Sequence, residues 1–298
     1  MKFLSYIYNN QESYGVLKES KDTVVPMTSL LNLLSRNCPS NLLGFIQMYS
    51  DSLNPEIEQI LEENYSEELA LDEIKITAPI PNPRRNVFCL GKNYVEHAME
   101  IEILSTGKDT VPDYPIYFTK VCDPAIGDMD EVIIPKEYTE KIDYEVELAV
   151  IIGKDGKDIL PEDAESYIFG YTIANDISAR DIQVKHVQWF KGKSLDTFTP
   201  MGPYIVDKGE IKFPVELDIS CKVNDELRQN SNTNKLIFDI PYIISDLSKG
   251  LTLRAGDIIL TGTPSGVGIG FKPHKYLKSG DIVQCYIEKI GTLKNPIR

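Results

Sequence analysis

The chain has 298 residues, 42% of them hydrophobic and 26% charged, and 31 basic side chains against 45 acidic ones give a formal net charge of −14. That is the composition of an ordinary globular protein with room for one large domain and a small companion. The acidic balance excludes a protein that grips nucleic acid or an anionic membrane through a general basic footprint.

No run approaches the roughly 18 consecutive apolar residues of a membrane helix. Met1 to Tyr8 is too short and too polar for a secretory h-region. Cys38, Cys89, Cys122, Cys221 and Cys285 are scattered and form no Cys-x-x-Cys pair, so reduced thiols and a cytoplasmic setting are expected.

Residues 1–78 predict a small α/β unit: a hairpin of Lys2–Tyr8 and Ser13–Leu17 around Asn9-Asn10-Gln11, a strand near Val24-Val25, and helices over Thr28–Ser35, Asn41–Tyr49 and Asn54–Asn64. Three prolines, Pro79, Pro81 and Pro83, then enforce an extended path, which places the domain boundary there and a second domain over 79–298. In that second domain strands are predicted at Asn86–Leu90, Ile116–Phe118, Glu145–Ile152, Ile168–Asn175, Tyr204–Val206, Leu217–Val223, Ile258–Gly262 and Ile282–Ile287. Helical period is confined to Asp181–Trp189 and Ile240–Ser248, the latter with Pro241 in its first turn. The fold class that follows is α+β, with a curled mixed sheet.

Five stretches carry chemistry. In Asp143-Tyr144-Glu145-Val146-Glu147-Leu148-Ala149-Val150-Ile151-Ile152-Gly153 the strand period of two turns Glu145 and Glu147 the same way. Paired carboxylates beside an apolar run repel each other and lose hydration, and a divalent cation relieves both costs; a solvated edge strand is the plain alternative. About thirty residues on, an apolar strand runs into Asn175-Asp176, so Asp176 joins them either as a third ligand or as a turn or capping residue. Three carboxylates make a hard oxygen site suited to Mg²⁺ or Mn²⁺.

In Gly91-Lys92-Asn93-Tyr94-Val95-Glu96-His97-Ala98-Met99-Glu100 the i,i+3 spacing lets Glu100 hold the His97 imidazole, as general-base activation of water requires. The run that follows, Ile101 to Asp113, is poor in core residues and suits a lid. Lys193 lies among glycine, aromatic and proline residues, where it either binds a substrate carboxylate or sits on the surface. Leu260 to Gly268 is a strand leaving into a Gly-rich loop without a Walker lysine, able to offer amides to an anion.

The order DYEVELAVIIG, GYTIANDISARDIQ, FKGKSLDTFTPMGP, LRAGDIILTGTPSGVG resembles the fumarylacetoacetate hydrolase family over about residues 79–298, and Lys2–Leu17 resembles the small N-terminal unit of many bacterial members. The resemblance implies a mixed β-roll catalytic domain, commonly in a homodimer. It implies that Glu145, Glu147 and Asp176 hold Mg²⁺ or Mn²⁺, that GKNYVEHAME is a lid motif with His97 and Glu100 as acid/base dyad, and that Lys193 meets substrate oxygens. Gln183, Thr263 and Lys92 are then further substrate contacts. Asn224-Asp225 departs from the Asn-Gly that relatives often carry in a hairpin turn.

The expected activity is metal-dependent carbon–carbon cleavage of a small 2-oxo acid or dicarboxylate, by oxaloacetate decarboxylation or acylpyruvate hydrolysis through a stabilised enolate. The isomerase chemistry of other family members, moving a proton along a dienol, is the alternative. A reading of another class is a binding or scaffold protein with a residual metal site.

Overall fold

A computed structural model of the chain describes residues 1–63, 67–101 and 111–298. It opens with β1 (Lys2–Tyr8), β2 (Gln11–Lys18) and β3 (Thr23–Pro26), then α1 (Met27–Leu33), α2 (Leu42–Met48), α3 (Leu53–Glu63), β4 (Leu69–Ala70) and β5 (Lys75–Ile76). The β1–β2 turn places both Asn9 and Asn10 at positive φ, 50° and 62°, the conformation that two-residue hairpins need and that asparagine tolerates. Asn41 caps α2 by accepting from Gly44 N at 2.8 Å.

After the proline-rich stretch come β6 (Val87–Gly91), α4 (Val95–Glu100), β7 (Ile116–Lys120), β8 (Ile142–Asp143), β9 (Val146–Ile152), β10 (Ile168–Asn175), β11 (Ser178–Ala179), α5 (Arg180–Lys185) and α6 (Phe190–Lys193). The chain closes with β12 (Met201–Asp207), β13 (Asp218–Val223), β14 (Glu226–Asn232), α7 (Ile240–Ser248), β15 (Ile258–Leu260), β16 (Ile282–Ile287) and β17 (Gly291–Pro296). One sheet runs β4-β3-β2-β1-β12-β10-β9-β15-β6-β7 with β5 on β1, and a second runs β14-β13-β16-β17. Within the large sheet β15 and β6 are parallel and the pairs around them antiparallel.

Strand β9 explains its own apolar run, because both of its faces are covered. Leu148, Val150 and Ile152 face one apolar cluster, shared with Ile219, Val283 and Ile287 of the small sheet. Ala149 and Ile151 face another, shared with Leu30, Phe45 and Ile57 of α1–α3. The N-terminal stretch joins the larger one through β1, whose Lys2 and Phe3 pair with Val206 and Ile205 of β12.

Phe169 is the hub of that junction. It is 0% exposed, and its ring centroid lies 5.1 Å from that of Phe3 and 4.9 Å from that of Tyr49. Phe169→Ala is expected to cost about 3–5 kcal/mol of unfolding free energy, read as a lower midpoint in a denaturant melt.

Two local expectations change. The helix predicted over Asp181–Trp189 stops at Lys185, and Val187 adopts φ 63° in the connection before α6. Packing decides this: α6 crosses so close to α5 that a Cβ at Gly192 would lie 2.7 Å from Gln183 N and 2.8 Å from Ala179 O. Strands β14 and β17 form where the sequence predicts none, since Glu226–Asn232 and Gly291–Pro296 offer little apolar alternation. At the β13–β14 turn, Asn224 and Asp225 both take positive φ, 50° and 66°, so aspartate occupies the position where glycine is easiest.

Candidate active site

The site forms where β9 begins and β10 ends. Antiparallel register sets Ala174 opposite Glu147 and Asn175 opposite Val146. The two chain segments are then pinned beyond the ladder, with Glu145 N donating to Asn175 Oδ1 at 3.0 Å and Asp176 N to Glu145 O at 2.8 Å. The strand period and this register together bring oxygens of Glu145, Glu147 and Asp176 within 4.8 Å of one another, all three residues buried. Asp176 caps no helix; its carboxylate points into the cluster.

Buried carboxylates need cations, and three are present. Lys193 Nζ donates to Glu145 Oε2 at 2.7 Å and to Asp176 Oδ2 at 2.6 Å. Lys120, the last residue of β7, donates to Asp176 Oδ1 at 2.6 Å. Arg180 reaches Glu145 Oε1 at 2.8 Å and Asp143 Oδ2 at 2.8 Å.

These pairs sort the carboxyls. Glu145 is penalised by burial, but Lys193 and Arg180 overcome that and hold its pKa down at about 2. Burial likewise works against the Lys193 ammonium, and Asp176 with Glu145 lift it to about 12. Glu147 has no ion pair among the described residues, and its Oε2 accepts only from Gly262 N at 2.7 Å. Burial first, then Asp176 and Glu145, push its pKa well above the ordinary carboxylate value. A bound cation would relieve this group most. Four acids, Asp143 included, face three cations, so a full set of charges leaves the cluster net negative. Hard oxygen donors in that balance fit Mg²⁺ or Mn²⁺.

Glu145 and Glu147 line one cavity together with Lys92, His97, Gln183 and Thr263, its free volume about 10 Å³, room for about one water. His97 is 3% exposed, with Nδ1 3.4 Å from Glu100 Oε2. Lys92 sits at φ 56°, and burial lowers its pKa. Gln183 Oε1 accepts from Arg180 Nη1 at 3.1 Å. The Thr263 hydroxyl donates to Val146 O and accepts from Gln229 Nε2, each at 2.8 Å, which makes it a strut between strand and loop and not a free donor. Glu145, Glu147, Lys92, His97, Gln183, Lys193 and Thr263 thus surround one cavity, with Asp176 bonded to Lys193 and Glu100 beside His97. Of the stretch Ile101–Asp113, residues 102–110 lie outside the described residues.

The family model described as "Fumarylacetoacetate (FAA) hydrolase C-terminal" matches residues 86–298. The chain belongs to the fumarylacetoacetate hydrolase family. It is an enzyme of that family with its α+β fold. It is 51% identical over 228 residues to a Bacillus subtilis protein named oxaloacetate tautomerase YisK, covering 76% of this chain and 74% of that one. A solved fumarylacetoacetate hydrolase from Exiguobacterium antarcticum superposes with TM-score 0.83 at 36% identity, over 100% of this chain and 99% of that one. Maleylpyruvate hydrolase from Sphingobium sp. SYK-6, solved with manganese(II) and pyruvate, gives TM-score 0.79 at 28% identity, over 100% and 98%. The substrates in those names are small oxo acids, the class expected from the sequence.

Sequence reasoning missed Lys120, Arg180 and Asp143. Arg180 stood inside a quoted motif, and Asp143 shares the parity of Glu145 and Glu147, a signal that could have been used. Lys120 gave none, being a lysine at the end of a short apolar strand.

Proposed function

We propose that the chain acts on oxaloacetate or a closely similar small 2-oxo dicarboxylate by moving a proton between carbon and oxygen, a keto–enol interconversion. The observation that carries this is the buried His97, paired with Glu100 and lining the same cavity as the carboxylates Glu145 and Glu147. A Mg²⁺ or Mn²⁺ ion held by Glu145, Glu147 and Asp176 would supply Lewis-acid stabilisation of the developing enolate charge.

The chain's own residues do the rest. Glu100 beside Nδ1 favours the tautomer with the proton there, leaving Nε2 of His97 as the base that takes the C3 proton and delivers it to the C2 oxygen, the reverse steps giving the keto form. Lys92 adds a cation to the cavity wall that offsets the remaining carboxylate charge toward an anionic substrate, and Lys193 fixes Glu145 and Asp176 in place. A homodimer belongs to the same reading, supported by Val184, Val187 and Phe190, which are 54%, 65% and 42% exposed along α5–α6.

Cleavage is the second reading. The same enolate forms when a carbon–carbon bond breaks, and the His97–Glu100 pair is equally placed to activate water toward a distal carbonyl; likeness to a maleylpyruvate hydrolase favours it.

The experiment follows the ultraviolet absorbance of enol oxaloacetate and, separately, release of pyruvate, with Mg²⁺, with Mn²⁺ and after chelation. Chelator-sensitive loss of enol without pyruvate is the expected result. Pyruvate release above the metal-only background would move the assignment to cleavage. Neither signal, from protein that still binds Mn²⁺, would discard oxaloacetate as the substrate and leave acylpyruvate cleavage and dienol isomerisation to be assayed.

A further inference from the structure

Glu100 is gripped by a loop as well as by His97. Both of its carboxylate oxygens accept from Gly266 N, at 2.9 and 3.0 Å. A Cβ built on Gly270 would lie 2.0 Å from Glu100 Oε1, 2.2 Å from Cδ and 2.4 Å from Cγ. The carboxylate thus occupies the space a side chain at 270 would fill. The next residue, Ile101, packs against Val267 and Ile269 of the same loop, so two consecutive residues at the end of α4 dock on it.

The loop is itself held from the carboxylate cluster. Gly268 N and Ile269 N donate to Asp143 Oδ1 and Oδ2 at 2.6 and 3.0 Å, and the Tyr144 hydroxyl donates to Gly266 O at 2.9 Å. Asp143 is bonded by Arg180, which reaches Glu145.

We propose that the loop from Gly266 to Gly270 is the seat that sets Glu100 against His97, with Gly270 the positioning residue whose missing side chain makes the room. The proposal rests on the dyad reading above. Gly270 touches no reacting atom; it acts through Glu100. It is also a clean probe. Gly270 is not among the glycines at positive φ, so alanine adds little backbone strain there, and what the new methyl meets is the end of a flexible side chain. The fold should survive while the carboxylate is displaced.

The test compares Gly270→Ala, Glu100→Ala and the double variant in oxaloacetate keto–enol interconversion. It adds amide exchange of the 264–271 segment by mass spectrometry, and Mn²⁺ titration followed by quenching of Trp189, the chain's single tryptophan and part of the cavity wall. Displacing a catalytic group by about 1 Å costs about 100-fold. Gly270→Ala is therefore expected to lower kcat by that order with KM and Mn²⁺ affinity unchanged, and to speed exchange over 264–271. In the double variant the rate should equal that of Glu100→Ala alone, because the only group displaced is already gone. Losses that multiply would assign Gly270 a structural role and overturn the proposal, as would native kcat together with native exchange. If Glu100→Ala kept full activity the dyad reading would fall, yet faster exchange in both single variants would still support the seat and unchanged exchange would reject it.

Discussion

Glu147→Gln is expected to weaken Mn²⁺ binding roughly a thousandfold, since ligand charge count tunes affinity over decades, and to remove turnover with it, while the metal-free protein becomes no less stable. Glutamine keeps an oxygen for Gly262 N, so the one hydrogen bond to this side chain survives. It removes the carboxyl that Asp176 and Glu145 oppose from a fully buried position.

The pH dependence has a definite sign. Because the Glu147 pKa is raised above 4.5 in the folded protein, the native state keeps a proton that the unfolded chain has lost. The group's contribution is therefore fully present below about 4.5 and is lost as pH rises toward the folded value. Thermal melts in chelator should show the native protein losing stability over that window, and Glu147→Gln lacking that component. Added Mn²⁺ should raise the melting temperature of the native protein only. A variant that still quenched Trp189 at native Mn²⁺ concentrations would remove Glu147 from the ligand set.

His97→Ala is expected to lower kcat by about 10²–10⁴-fold, the range for loss of a positioned acid or base, with Mn²⁺ affinity unchanged. The imidazole is 3% exposed, and its separation of 3.4 Å from Glu100 is long for a hydrogen bond, so Glu100 here orients the ring more than it binds it tightly. Truncation leaves the carboxylate cluster and its cations in place. Steady-state rates on oxaloacetate, set beside Mn²⁺ titration of the same sample, separate the two roles. Native turnover in His97→Ala would locate the base elsewhere in the cavity.

Some of this site could be read from local spacing. The period of two along β9 places Glu145 and Glu147 on one side whatever surrounds them, and the i,i+3 step places Glu100 beside His97. Pro241 in the first turn marks the start of α7 at Ile240. Such features depend on backbone geometry within a few residues, which the amino-acid order determines.

What the order of residues alone left undecided is everything that depends on a distant partner. Asp176 becomes part of the cluster through the β9–β10 register. Lys120 reaches it only because β7 closes the sheet edge beside β6, and Arg180 because the short α5 turns inward above Asp143. The same holds for the polar strands β14 and β17, which exist because β13 and β16 offer them hydrogen-bonding edges, and for the break before α6, imposed by close packing at Gly192. Local spacing thus determined which side chains could act together, and tertiary packing decided which cations face them, because burial makes each carboxylate's charge depend on neighbours far away in the chain.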